Sequence, residues 1–126
     1  MKTIKFIIAL CALTLILPSC KQLKQLKKIV AVSYHYPPTT GVIDIYQTGQ
    51  QLPSNIIRIG SVVVGESGLT PAEKCSYEAC IRAIEDEARK AGADFIYLVK
   101  VKEPDRFWGS TCYDITAELY KYTDNQ

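Results

Sequence analysis

Apolar and polar positions follow three patterns along this chain: a continuous run, strand alternation and a helical stripe. An apolar run from Ile4 to Leu17, broken only by Lys5 and Thr14, comes first. It is shorter than the roughly 20 residues of a comfortable membrane-spanning helix, and polar Lys21 and Gln22 follow soon after it. Residues 21–28 repeat Gln-Leu-Lys and read as a low-complexity tether. Ile29 to Tyr36 is β-prone and stops at Pro37-Pro38, where two backbone donors are missing. Val42 to Tyr46 predicts a short strand. Turn residues fill Thr48 to Asn55, and Ile56 to Gly65 predicts the next strand. Within it Val62-Val63-Val64 reads as buried on both faces.

The period then changes to that of a helix. Tyr77, Cys80, Ile81, Ile84, Ala88 and Ala91 fall on one stripe, with Glu78, Arg82, Glu85 and Arg89 on the other side. Gly92 suits the C-terminal cap. Two starts are open. Thr70-Pro71-Ala72-Glu73 has capping-box spacing with proline at the first helical position, and Ser76 is a second N-cap. After the helix, Ala93 to Lys102 predicts a strand in which Phe95, Tyr97, Val99 and Val101 alternate with Ile96, Leu98, Lys100 and Lys102. Cys112 to Tyr122 predicts the last strand. Tyr113, Ile115, Ala117 and Leu119 line one face, and Asp114, Thr116, Glu118 and Tyr120 the other. The predicted fold class is α+β: a small β-β-α-β-β domain with one amphipathic helix packed on a mixed sheet, and an extra strand in 29–36 as an option. The expected organisation is a leader at 1–19, a tether with a short strand at 20–41, and a compact domain at 42–122.

Charge divides along the same lines. The chain carries 15 basic and 13 acidic residues. Lys2 and Lys5 belong to the leader and Lys21, Lys24, Lys27 and Lys28 to the tether, which leaves 9 basic against 13 acidic residues from Ile29 onward. That balance gives no nucleic-acid footprint. The tether lysines suit either contact with anionic head groups or a solvated spacer.

Leu17-Pro18-Ser19-Cys20 closes the apolar run and resembles a bacterial lipobox. By that resemblance residues 1–19 are a lipoprotein signal peptide, and Cys20 carries the lipid, palmitate among its acyl chains. No Asp follows Cys20, which by likeness to lipoprotein sorting implies the outer membrane. No acidic run follows either, so a surface-export signal is not evident and the domain is expected to face the periplasm. In that oxidising compartment disulfides persist. Cys11 leaves with the leader, so Cys75, Cys80 and Cys112 allow one internal bridge. The strand-helix-strand order puts the helix start and the opening of the last strand at one end of the sheet, which favours Cys75–Cys112. Cys80 lies over a turn deeper, on the apolar stripe, as a buried thiol. A helix start at Pro71 would turn Cys75 away from the sheet, whereas a start at Ser76 lets it reach Cys112.

Gly65-Glu66-Ser67-Gly68, Cys75-Ser76-Tyr77-Glu78, Ala88-Arg89 with Gly92-Ala93-Asp94, Pro104-Asp105, and Ser110-Thr111-Cys112 with Ile115 and Ala117 resemble a group of small Bacteroidetes-type lipoproteins of unassigned function. The likeness spans about residues 42–121. A looser similarity, in strand order, exported context and disulfide use, is to the outer-membrane lipoprotein sensor of the Rcs envelope-stress system. That family implies a compact α/β domain on a tether with two disulfides, whereas three cysteines here permit one. The resemblance supports the fold and the Cys75–Cys112 pair and implies no catalytic residues.

Little else announces chemistry. Gly65-Glu66-Ser67-Gly68 lacks the Lys-Ser/Thr ending of a phosphate loop. The single histidine, His35, has no nucleophile motif and no cysteine at metal-ligand spacing beside it. Glu85-Asp86-Glu87 reads as a solvated helix face, and Cys80 has no Cys-x-x-Cys partner. The segment Asp105-Arg106-Phe107-Trp108-Gly109 stands out. Arg106, Phe107 and Trp108 suit a partner-binding loop tip, Arg and Trp being enriched at binding hot spots, or else the two rings fold over the helix end and shield the disulfide. The expectation is a non-enzymatic envelope lipoprotein that needs no cofactor. It would be held to the membrane through Cys20 and meet an unidentified envelope protein in a binding, sensing or structural role. A module for a small ligand or metal is the alternative.

Overall fold

A computed structural model describes residues 26–65, 74–105, 107 and 111–123. Among these described residues five strands and one helix follow in the order β1 (Lys27–Val32), β2 (Asp44–Tyr46), β3 (Ile56–Gly65), α1 (Tyr77–Ala91), β4 (Phe95–Lys102) and β5 (Asp114–Tyr122). The strands form one sheet in the order β1-β3-β5-β4-β2. β5 runs antiparallel to both β3 and β4, so those two are parallel to each other and α1 links them across β5. β1 is antiparallel to β3, and β2 is parallel to β4. The α+β expectation of one helix on a mixed sheet therefore holds.

The helix forms where its caps are. Ser76 precedes it in an extended conformation, and its hydroxyl accepts from the Ala79 N–H at 3.2 Å, so the helix begins after Ser76 and not at Pro71. Glu78 in the first turn and Arg89 and Lys90 in the last complement the helix dipole. At the far end Gly92 takes φ 75°, and the N–H groups of Gly92 and Ala93 close onto the carbonyls of Arg89 and Ala88, a Schellman arrangement. Further helix carbonyls are satisfied from outside. Tyr36 N–H donates to Ala91 O and Thr39 N–H to Arg89 O, on either side of the two prolines that cannot donate. The connection 33–43 thus carries the chain from one edge of the sheet to the other past the helix C-terminus. Ile43, buried at its end, plugs into the core.

Cys80, Ile84, Ala88 and Ala91 face the sheet and meet Ile59, Val62, Val64, Ile96, Leu98, Ile115, Ala117 and Leu119. Burying side chains of this size stabilises by about 1.5–3 kcal/mol each for the larger aliphatics. The small Ala88 and Ala91 leave room for close approach.

Four sequence expectations change. The optional strand in 29–36 is present but shifted toward the N-terminus: β1 starts at Lys27, inside the 21–28 segment read as tether, ends at Val32, and pairs over its full length with β3, from Lys27↔Gly65 to Val32↔Gly60. Lys27 and Lys28 thus belong to a strand, and Lys28 reaches Glu87 on the helix at 2.6 Å. β2 keeps only Asp44–Tyr46 of the expected 42–46, since Val42 is 93% exposed. Val63 is 37% exposed between buried Val62 and Val64, because α1 covers one face of the sheet and Val63 points to the other. The even alternation predicted for β4 also breaks. Register shifts between Leu98 and Lys100 in β4, and between Arg58 and Gly60 in β3, insert one residue each. As a result Val101 packs with Ile96 and Leu98 against the helix-side core.

Candidate functional site

Cys75 and Cys112 form a disulfide, with Cα atoms 5.0 Å apart. Cys75 lies just before the helix and Cys112 just before β5, and Tyr113 N–H donates to Cys75 O at 3.1 Å beside the bridge. Both cysteines are buried. Among the described residues Cys80 is the free cysteine, fully buried, with its thiol in reach of the carbonyls of Cys75 and Tyr113 at 3.7 and 3.8 Å. Burial, helped by the charge of Asp114, pushes that thiol up to about 11. It is a protonated packing group and not a nucleophile at neutral pH.

The remaining sequence candidates do not converge. Cys20, Arg106 and Trp108 lie outside the described residues, as does the turn after Gly65. Phe107 is 86% exposed, with its N–H donated to Asp105 Oδ1 at 3.1 Å, which is not the packing of a ring folded over the helix end. His35 is exposed. Glu85 and Asp86 both pair with Arg89, and Glu87 pairs with Lys28 and Lys90, so the three acids are occupied in ion pairs on the helix surface. The Lys28 hydrogen bond is the main cause holding Glu87 below its ordinary 4.5. Among the described residues no three His, Cys, Asp or Glu side chains gather as a metal site, and no helix is long and apolar enough to cross a membrane.

What the sequence did not single out is the sheet face opposite α1. Near the β2 edge Phe95 is completely buried on that face under three tyrosines from β2 and β5. Tyr46 meets it edge-on at 4.9 Å, Tyr120 stacks on it at 5.1 Å and Tyr122 tilts against it at 5.2 Å. The tyrosines are tied in turn. Tyr120 donates to Glu118 at 2.9 Å, and burial followed by that carboxylate raises it to about 12. A hydrogen bond with Tyr46, then burial, raises Tyr122 to about 12. Tyr97 shares this face and accepts from Gly49 N–H at 3.3 Å.

Glu118 links this aromatic ledge to a polar region. Its Oε2 also sits 2.9 Å from Arg58 Nε. Beyond Arg58, between the end of β1 and the start of β3, lies a depression of about 260 Å³ lined by Ala31, Ser33, Tyr34, Arg58, Gly60 and Ser61. A smaller one of about 130 Å³ sits at the other end of the same strand pair, among Lys27, Ile29, Val63, Gly65 and Asp114. No element of the described chain covers this face. It presents half-exposed apolar groups (Ile29 at 53%, Val63 at 37%), tyrosine edges and Arg58 together. The face therefore offers ring faces, hydroxyl donors and the Arg58 guanidinium side by side.

No family model matches the chain, and no curated protein or solved structure is significantly similar to it.

Proposed function

We propose that the protein is a lipid-anchored, non-enzymatic module of the bacterial envelope that binds a protein partner through the open face of its sheet. It resembles small Bacteroidetes-type lipoproteins, and the proposed place is the outer membrane, facing the periplasm. The observation that carries the reading is the one-sided sheet. A five-stranded sheet with a helix on one face leaves the other to water or to a partner, and here that face carries tyrosines, valine, isoleucine and Arg58.

The anchor and the fold support each other. β1 starts at Lys27, so only residues 21–26 separate it from Cys20. Even a fully extended connection of that length spans roughly 25 Å. A lipid on Cys20 would hold the β1 edge close to the bilayer and leave the sheet face accessible from the side. The disulfide suits an exported domain.

The test is the mass and the location of the protein in its native envelope. The proposal expects a chain beginning at Cys20 with acyl groups on that residue, recovered with membranes, and a Cys20→Ser variant released in soluble form. An unacylated chain retaining residues 1–19, or a Cys20→Ser variant with unchanged membrane recovery, refutes it.

A further inference from the structure

The depression between β1 and β3 has a chemistry of its own. Its walls carry three hydroxyls, from Ser33, Tyr34 and Ser61, none hydrogen-bonded within the described protein, and the Arg58 guanidinium. Arg58 Nε faces Glu118, and among the described residues its two terminal nitrogens have no hydrogen-bond partner. The frame around them is fixed. Ser33 and Tyr34 both donate their N–H groups to Ile59 O, at 2.8 and 3.3 Å, which pins the end of β1. At Gly60 a Cβ would lie 2.7 Å from Ala31 O, so glycine is what lets β1 approach β3 here. Hydroxyl donors around a guanidinium fork make a receptor for a planar oxyanion.

We infer that this depression takes the C-terminal carboxylate of a polypeptide. The inference rests on the binding reading above and names the group recognised. Charge selects a carboxylate over a phosphate. Glu118 already places one negative charge beside Arg58, so a monoanion is accommodated and a dianion is repelled. Size selects a single terminal residue, because about 260 Å³ is below the ~300–1,000 Å³ of pockets for drug-sized ligands. The neighbouring face selects a chain over a free amino acid. The depression opens onto the sheet surface, where Glu118 and Tyr120 lead to the tyrosine ledge, and the residues before the terminus have a surface to cross.

The experiment is an NMR titration of the full-length lipoprotein in detergent micelles, following the backbone amides of Ser33, Tyr34 and Ser61. The probes are acetyl-Ala-Ala-Ala with a free C-terminus, the same tripeptide as its C-terminal amide, acetyl-alanine and methyl phosphate. The free-acid tripeptide should shift those three amides saturably, and the amide should bind at least about tenfold more weakly, the scale of losing a charge-assisted hydrogen bond. Arg58→Gln should lose at least about tenfold with the rest of the spectrum unchanged. Ser61→Ala, which leaves the ion pair alone, should lose a smaller factor of about three. Equal binding of acid and amide, or shifts that leave these three amides unmoved, overturns the site. Methyl phosphate binding more tightly than the carboxylates overturns the choice of group. Acetyl-alanine binding as tightly as the tripeptide overturns the polypeptide and leaves a small free carboxylate. None of these outcomes depends on whether Cys20 is acylated, so this site and the anchor succeed or fail separately.

Discussion

Breaking the Cys75–Cys112 bridge should cost this domain a large part of its stability, mostly through the unfolded chain. The bridge spans a sequence separation of 37 and encloses α1 and β4. For a loop of that size the chain-entropy relation gives about 4 kcal/mol at 25 °C. A typical domain is stable by only about 5–15 kcal/mol, so the loss is severe. It corresponds to a fall in Tm of roughly 15–30 °C for a domain near 100 residues. The assay is urea unfolding of the oxidised protein, of the same protein reduced, and of the Cys75→Ala/Cys112→Ala double variant. Reduction keeps the sulfur atoms in their buried sites and isolates the loop effect. The double variant adds the packing lost where both sulfurs were enclosed, so it should be the least stable of the three. Because the reduced unfolded chain is more expanded, the slope of stability against urea should also rise. A loss on reduction below about 1 kcal/mol, with an unchanged slope, would refute the view that the bridge staples a small core.

Other expectations follow from single positions. Gly92→Ala should cost about 2 kcal/mol or more in urea unfolding, since Gly92 sits at φ 75° and a Cβ would meet Pro37 O at 2.5 Å and Tyr36 Cβ at 2.7 Å. Ser76→Ala should cost about 1 kcal/mol by the same measurement, through loss of the cap to Ala79. Cys80 should resist a thiol reagent at pH 8 in the folded protein and react at once in denaturant; fast reaction in the native state would contradict its burial. Stability should fall as pH rises past about 9. The folded values of Cys80, Tyr120 and Tyr122 lie above their ordinary 9.0, 10.0 and 10.0, so the unfolded chain loses those protons first. The decline should run up to about 12, and a flat profile from pH 9 to 12 would count against it.

The parts of the fold with a strong local period were legible before the structure. The helix stripe ending at Ala91 and the strand Ile56–Gly65 appear where their pattern implies, the helix start being the later of the two open choices, and topology placed Cys75 and Cys112 at one end of the sheet. What was not legible depends on partners distant in sequence. Lys27 and Lys28 look like tether, yet pairing with β3 and the Glu87 carboxylate draw them into a strand. The inserted residues near Ile59 and Val99 carry no local signal, and each shifts the alternation that follows. Phe95 is apolar and in a strand, but which face it takes, and that tyrosines at 46, 120 and 122 enclose it, follows only from the order β5-β4-β2. The depression around Arg58 is likewise invisible as a motif, because its hydroxyls come from residues 33, 34 and 61 on two segments that meet only in the sheet.

The most direct test of the account is photo-crosslinking in living cells from a photoreactive phenylalanine analogue. It would replace Tyr97 on the open face in one strain and Arg82 on the exposed side of α1 in another. A defined protein adduct from position 97, absent from position 82 and lost when Cys20 becomes serine, is the predicted result. An adduct from position 82 with none from position 97 would place the working surface on the helix and contradict the account.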